Sequence, residues 1–361
     1  MSALKAATPP GEEAGAPADF SARRWQAPAG LQHRHDARVH QLSGETMGTN
    51  WSLRLANPEF ASLDGARASV QSVLDLVIAQ MSNWERDSLI SRFNGLPPGG
   101  EMALPGEFAQ VLDAAMHWAG RSGGAIDPTM GALVSLWGFG PRPDPMAPHA
   151  GIPPESAVID EQLAGAGFAR MPWAPGQRHL VQPGGLRLDL CGIAKGFAVD
   201  RVAEALALQG WTGGLFEIGG ELRGWGEKPD GKDWQIRVGT ADSAPEAMVV
   251  GMRDGALATS GDLWHHFLVD GKRYSHTIDP RTGRPVEHAL ASVTVHHAEC
   301  MHADALATVL TVLGLREGME FAVANDIAAV FREHADEGWV AIGNPLPQAI
   351  VTPAWKARFA S

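Results

Sequence analysis

The stretch Leu186-Arg-Leu-Asp-Leu-Cys-Gly-Ile-Ala-Lys-Gly196 changes its hydrophobic period part-way along. Leu186, Leu188 and Leu190 alternate as in a half-buried strand, whereas from Gly192 to Gln209 the apolar residues take helical spacing and stop at Gly210. The predicted unit is strand, tight turn, helix. Downstream, residues 214–224, 234–239 and 247–252 read as strands separated by turn residues. Asp270-Gly271, flanked by Phe267-Leu-Val on one side and Lys-Arg-Tyr274 on the other, is the strongest hairpin signal in the chain. Residues 291–297 alternate, with Val293 and Val295 on one side, and a helix is expected from Asp304 to Leu313. Upstream, Val70, Val73, Leu74, Val77, Ile78 and Met81 place an amphipathic helix within residues 62–84. Phe108, Val111, Leu112, Ala115 and Ala119 mark a second one beginning near Gly106. Residues 141–183 are Pro-rich around one short helical piece, 156–166, as in a surface insertion or crossover. The class is mixed α/β of the α+β kind, since hairpin strands argue against a purely parallel sheet. No internal repeat is visible.

Composition bounds the function from outside. The 361 residues carry 41 acidic and 29 basic side chains, a net charge of −12, and the cations are scattered, which argues against a nucleic-acid partner. At 45% hydrophobic and 19% charged, the chain builds a sizeable core in one elaborate domain or two. No run of about 18 apolar residues is present, so no transmembrane segment is expected. The first 40 residues, broken by Pro9, Pro10 and Pro17, read as a flexible leader without the basic and apolar regions of an export signal. On that reading the chain is cytoplasmic, unless its N-terminus is incomplete. Cys191 and Cys300 make no disulfide framework and are expected as free thiols.

Six places carry candidate chemistry. At about 100° per helical residue, Thr308 falls roughly 40° from Asp304, while Leu306, Val309, Leu310 and Leu313 cluster on the other side. A carboxylate and a hydroxyl one turn apart suit a hard cation such as Mg²⁺; an N-cap Asp304 with an exposed Thr308 fits the spacing as well. Residues 188–196 bring backbone N–H groups and Lys195 to a helix start, where a phosphate is received, although an ordinary βα turn has the same form. The P-loop spacing is absent. Met47-Gly48-Thr49 and Glu217-Ile-Gly-Gly-Glu221 are turns in which backbone can approach a flat ligand. His276 lies beside a turn dense in Asp, Pro, Gly and Arg, in reach of general-base work or of a satisfied loop histidine. The adjacent pairs His265-His266 and His296-His297 do not have metal-ligand spacing. Trp84, after the first helix, has a face that stacks on a flavin or packs in a core.

Taken together, eight segments in register resemble the FAD:protein FMN transferase (ApbE-like) family. They are Glu45-Thr-Met-Gly-Thr49, residues 81–94, Ala125-Ile-Asp-Pro-Thr-Met-Gly131 through Pro141, residues 188–200, 217–222, Leu257-Ala-Thr-Ser-Gly-Asp262, residues 274–285 and Cys300-Met-His-Ala-Asp-Ala-Leu-Ala-Thr308. The resemblance implies an ApbE-like fold at residues 41–345, with mixed, antiparallel-rich sheets flanked by helices, a T-fold-like core and two closely packed subdomains, followed by a tail at 346–361. It implies a Mg²⁺-dependent transfer of FMN from FAD to a Thr or Ser hydroxyl of a target flavoprotein carrying an acceptor motif, with release of AMP. Asp304 and Thr308 become metal ligands, with Gly192 adding a backbone carbonyl. Met47, Trp84, Ala125, Ile126, Asp127, Asp189, Lys195, His276 and Ile278 line the FAD site. The catalytic set is His276 as base, Asp189 or Asp279 orienting it, and Lys195 facing the pyrophosphate. An FAD pyrophosphatase and a non-catalytic flavin carrier use the same pocket. Cys191 stands where the family often has Ser or another small residue.

Overall fold

Eight strands form one antiparallel sheet whose spatial order is their order along the chain. They are β1 (Val39–Thr46), β2 (Thr49–Ala56), β3 (Gly214–Ile218), β4 (Glu221–Trp225), β5 (Gly255–Gly261), β6 (Leu290–His297), β7 (Ala328–Glu333) and β8 (Ile350–Val351). The computed structural model describes residues 38–141, 152–239, 248–261, 266–334 and 349–359. Most of the expected leader, Asp262, His265 and residues 335–348 lie outside the described residues.

The helices are excursions between neighbouring strands. The longest excursion, between β2 and β3, contains α1 (Asp64–Met81), α2 (Gly106–Arg121) and α3 (Ala194–Leu208); α4 (Cys300–Ala324) joins β6 to β7. α1 buries Ala66, Val70, Leu74, Val77, Gln80 and Met81; of the stripe its sequence spacing predicts, Val73 and Ile78 are half-buried. α3 and α4 pack on each other, and α4 lies against β5 and β6. The opposite side holds a separate cluster, in which Leu215, Leu222 and Leu257 meet Trp234, Ile236 and Val250 of the hairpin Trp234–Val238/Met248–Met252 and Trp355 of the terminal helix Pro353–Phe359. Covered on both sides, β6 is buried from Leu290 to Val295, which explains why its simple alternation understates its burial.

Three sequence expectations change. Residues 214–224, read as one strand, form a hairpin, because Gly219 and Gly220 both take positive φ and turn the chain back on itself. Residues 350–359, read as tail, add strand β8 and a helix with a buried Trp355 to the sheet edge. The expected strand at 186–190 does not form: its one ladder contact is an isolated bridge between Arg187 and Met130, while Gln182, Asn94 and the Pro128 carbonyl bond to Leu186, Leu188 and Asp189. The hairpin around Asp270-Gly271 forms as expected, pairing His266–Val269 with Lys272–Ser275.

Candidate active site

α3 and α4 run antiparallel and cap one another. Asp200, on α3, accepts the backbone N–H groups of Cys300 and Met301 at the start of α4, both at 2.9 Å. Asp304, on α4, accepts the Gly196 N–H near the start of α3 at 2.9 Å. Neither helix has a capping side chain of its own, since Ile193 and Glu299 precede them without a side-chain cap, so each borrows a carboxylate from the other. The contact requires glycine at 196, where a Cβ would stand 2.4 Å from the Cys300 carbonyl oxygen. Asp304 is therefore not the N-cap of its own helix, which begins four residues earlier. Nor does it face solvent, being only 5% exposed.

One turn further along, Thr308 meets Gly192: a Cβ on that glycine would lie 3.1 Å from Thr308 Oγ1. Gly192 lies in the turn preceding α3, which begins at Ala194 rather than 192. The turn thus lays its backbone beside the hydroxyl of α4. Lys195 reaches the other way, and its Nζ donates to Glu221 Oε2 at 2.6 Å. Glu221 opens β4 immediately after the Gly219-Gly220 turn and is 3% exposed. Burial pushes its carboxyl up to about 8, with Lys195 only partly offsetting the desolvation. Burial raises Asp304 as well. For Lys195 burial works against the charge, but Glu221 and Asp304 outweigh it and hold the ammonium above its ordinary range. Lys195 is thus committed to Glu221, and the Asp304 carboxylate is left, among the described residues, with the Gly196 N–H.

The loops around this cluster are braced by side chains. Asn94 donates to the Leu188 carbonyl and to Asn83 Oδ1, and accepts the Leu188 N–H, which ties the Trp84 loop to the segment preceding α3. Trp84 is 56% exposed, an open aromatic face rather than core. Asp189 donates its N–H to the Pro128 carbonyl and accepts the Cys191 N–H, joining the 125–131 loop to the same segment. Ala125 and Ile126 are buried, whereas the Asp127 carboxylate is committed internally, to the Thr129 N–H and hydroxyl and to the Phe168 N–H. Any contact of this loop with a ligand falls to backbone. Met47 and Gly48 both take positive φ in the turn between β1 and β2, and Gly219 N–H donates to Asn50 O, so the two glycine-bearing turns adjoin. Positive φ at both Met47 and Gly48 is what a two-residue hairpin turn requires, although it is costly at a methionine.

His276 and Ile278 follow the hairpin Lys272–Ser275. Ile278 is buried with Met130, Leu133, Trp137 and Ile159, and the His276 ring meets Phe139 edge-on at 6.3 Å. Phe139 stacks on Phe267, which stacks on its cross-strand partner Tyr274. Asp279, expected as one possible orienting group for His276, bonds to the Arg281 guanidinium. Spacing did not point to Asn94 or Asp200, and it marked Glu221 only as the end of a glycine turn.

Residues 47–331 match the ApbE family. The chain belongs to that family. It is 38% identical over 315 residues to the FAD:protein FMN transferase of Vibrio cholerae, covering 84% of this chain and 89% of that relative. It also resembles two solved structures: the apo form of the Pseudomonas stutzeri flavinyl transferase ApbE, with TM-score 0.78, 33% identity and 90% and 97% of the two chains covered, and the Vibrio cholerae flavin transferase ApbE, with TM-score 0.76, 34% identity and 88% and 99% covered. The ApbE sheet-and-helix fold is thus the one seen here. No helix among the described residues is long and apolar enough to cross a membrane.

The donor chemistry can be tested against the metal that an ApbE chain implies. Among the described residues no three His, Cys, Asp or Glu side chains converge as a metal cage. What converges is one carboxylate, one hydroxyl and a backbone turn. That set does not suit Zn²⁺, and it fits a hard divalent cation that keeps positions open for water and phosphate. A cavity of about 480 Å³ lined by Glu107, Gln110, Asp113, Arg178 and Arg201 shares none of these residues and lies elsewhere.

Proposed function

We propose that this chain transfers the FMN moiety of FAD, through its phosphate, to a Thr or Ser hydroxyl of a target flavoprotein, releasing AMP, in a Mg²⁺-dependent reaction. The observation that carries the reading is the meeting of Asp304, Thr308 and the Gly192 turn beside Lys195, in a member of a family whose relatives are named FAD:protein FMN transferases. Asp304, Thr308 and the Gly192 carbonyl would hold the cation, which when bound neutralises charge on the pyrophosphate. The acceptor hydroxyl oxygen attacks the phosphorus on the FMN side, the bond from that phosphorus to the bridging oxygen breaks, and AMP departs with that oxygen. His276 takes the hydroxyl proton, with Asp189 or Asp279 orienting the ring, and Lys195 stabilises the charge that develops on the leaving phosphate. Met47, Trp84, Ile278 and the backbone of 125–127 enclose the flavin and adenine ends.

The test is incubation with FAD, Mg²⁺ and a flavoprotein carrying a Ser/Thr acceptor motif, followed by assay of AMP and of mass added to the target. Equal amounts of AMP and FMN-protein are expected. AMP without labelled protein would replace the reading with pyrophosphate hydrolysis, and FAD binding without either product would make the chain a carrier. In His276→Ala, FAD binding is expected to persist while transfer falls by about a hundredfold or more. Transfer at the wild-type rate would remove His276 as base.

A further inference from the structure

Lys195 and Gly196 are consecutive residues that serve different carboxylates. The Lys195 ammonium is bonded to Glu221 at 2.6 Å, and the Gly196 N–H is bonded to Asp304 at 2.9 Å. We propose that Glu221 is a positioning residue, which holds the Lys195 ammonium off the Asp304 carboxylate so that the cation and the metal ligand remain two separate groups. The proposal rests on the function proposed above and deepens it.

The geometry supports it in three ways. Glu221 is itself immobile: it is 3% exposed and follows a two-glycine turn anchored by the bond from Gly219 N–H to Asn50 O. The Thr49 side chain packs against this turn, 2.8 Å from where a Gly219 Cβ would sit, so the turn requires glycine there. Lys195 is not immobile, since its side chain is 30% exposed on a flexible four-carbon stem. Without Glu221, the buried carboxylate that still acts on this ammonium is Asp304, whose helix-cap bond is to the neighbouring Gly196. An unpaired ammonium at such a site is costly, so the side chain would swing to that carboxylate. The swing would remove Lys195 from the leaving phosphate and neutralise the metal ligand in one movement.

The experiment compares Glu221→Met, which removes the acceptor at similar size, with Glu221→Asp, which keeps the charge. A crystal structure of E221M is expected to show Lys195 Nζ within about 3 Å of an Asp304 oxygen; an ammonium still in its wild-type place overturns the proposal. In the transfer assay, E221M is expected to lower kcat and raise the Mg²⁺ concentration for half-saturation by about tenfold each, with KM for FAD changed less than about threefold. E221D is expected to recover most of kcat. The double variant K195M/E221M is expected to be no slower than K195M, because Glu221 acts through Lys195; additive losses would assign Glu221 a separate structural role and overturn the proposal. If E221M does not fold, Glu221→Gln carries the same structural and kinetic comparison. If the wild-type protein yields neither AMP nor FMN-protein, the transferase reading falls, and the position of Lys195 in the variant structure alone decides the role of Glu221.

Discussion

The interface between α3 and α4 has two ends built to one plan. At each, a carboxylate 5% exposed on one helix accepts backbone N–H groups from the first turn of the other, and a cation from nearby lies beside it. At the Asp200 end the carboxylate is saturated by two backbone N–H groups and by Arg223 at 2.6 Å. At the Asp304 end the carboxylate takes, among the described residues, only the Gly196 N–H, and the neighbouring Lys195 is held by Glu221 instead. The contrast teaches how one capping arrangement serves two purposes. A buried carboxylate whose acceptor sites are filled locks two helices together, whereas one left with capacity, beside a hydroxyl and a backbone turn, is available to a cation.

Replacing each carboxylate breaks the comparison most directly. Asp304→Ala is expected to reduce FMN transfer by at least about a hundredfold at saturating FAD, while losing only about 1 kcal/mol of stability as one helix cap. Full activity in Mg²⁺ would remove Asp304 from the site. Asp200→Asn should behave in the opposite way. It leaves Arg223 without its charge partner and sets an amide against backbone donors, at a cost of about 3 kcal/mol in urea unfolding, with the Mg²⁺ requirement unchanged. If D200N altered the Mg²⁺ requirement and D304A altered only stability, the two ends would have to exchange roles.

Smaller effects sharpen the picture. Thr308→Val keeps the shape against Gly192 and removes the hydroxyl, with an expected loss of about tenfold in transfer, partly recovered at high Mg²⁺. The pH dependence of stability follows from Glu221, whose pKa burial raises from an ordinary 4.5 to about 8. The folded protein holds that proton more tightly than the unfolded chain. The resulting stabilisation is complete below about pH 4.5 and is lost as pH rises through about 8. Urea unfolding at pH 6 and pH 9 should therefore show a decline for the wild type that is smaller in E221Q; equal declines would assign the dependence to other groups.

Much of the fold was legible in the sequence wherever a segment's structure depends on its own pattern. The stripe Val70, Leu74, Val77 and Met81 located α1, and Asp270-Gly271 located its hairpin, because amphipathic burial and left-handed turns act over a few residues. The helix expected to end at Leu313 does leave helical geometry at Gly314, where φ is 75°. Its start was misplaced by four residues because the groups that cap Cys300 and Met301 come from Asp200, a hundred residues away. The strand expected at 186–190 failed for a similar reason: its backbone is satisfied by Asn94 and by the 128–131 loop, not by a neighbouring strand. Within the candidate site, the i, i+4 pair Asp304 and Thr308 could be read from helical period, and Lys195 from its helix start. The face they occupy could not be read, and it proved to be the α3 contact rather than solvent.

By itself, then, the sequence determined the mixed α/β class, the family membership carried by eight short segments, and the residue types available for oxygen ligation and acid–base chemistry. Only the tertiary structure decided which carboxylate is saturated and which keeps capacity, and that Glu221 rather than Asp304 holds Lys195. Periodicity reports what a residue does with its neighbours in the chain. The charge state and free coordination of a buried group depend on partners brought from distant segments, and those exist only once the helices have packed.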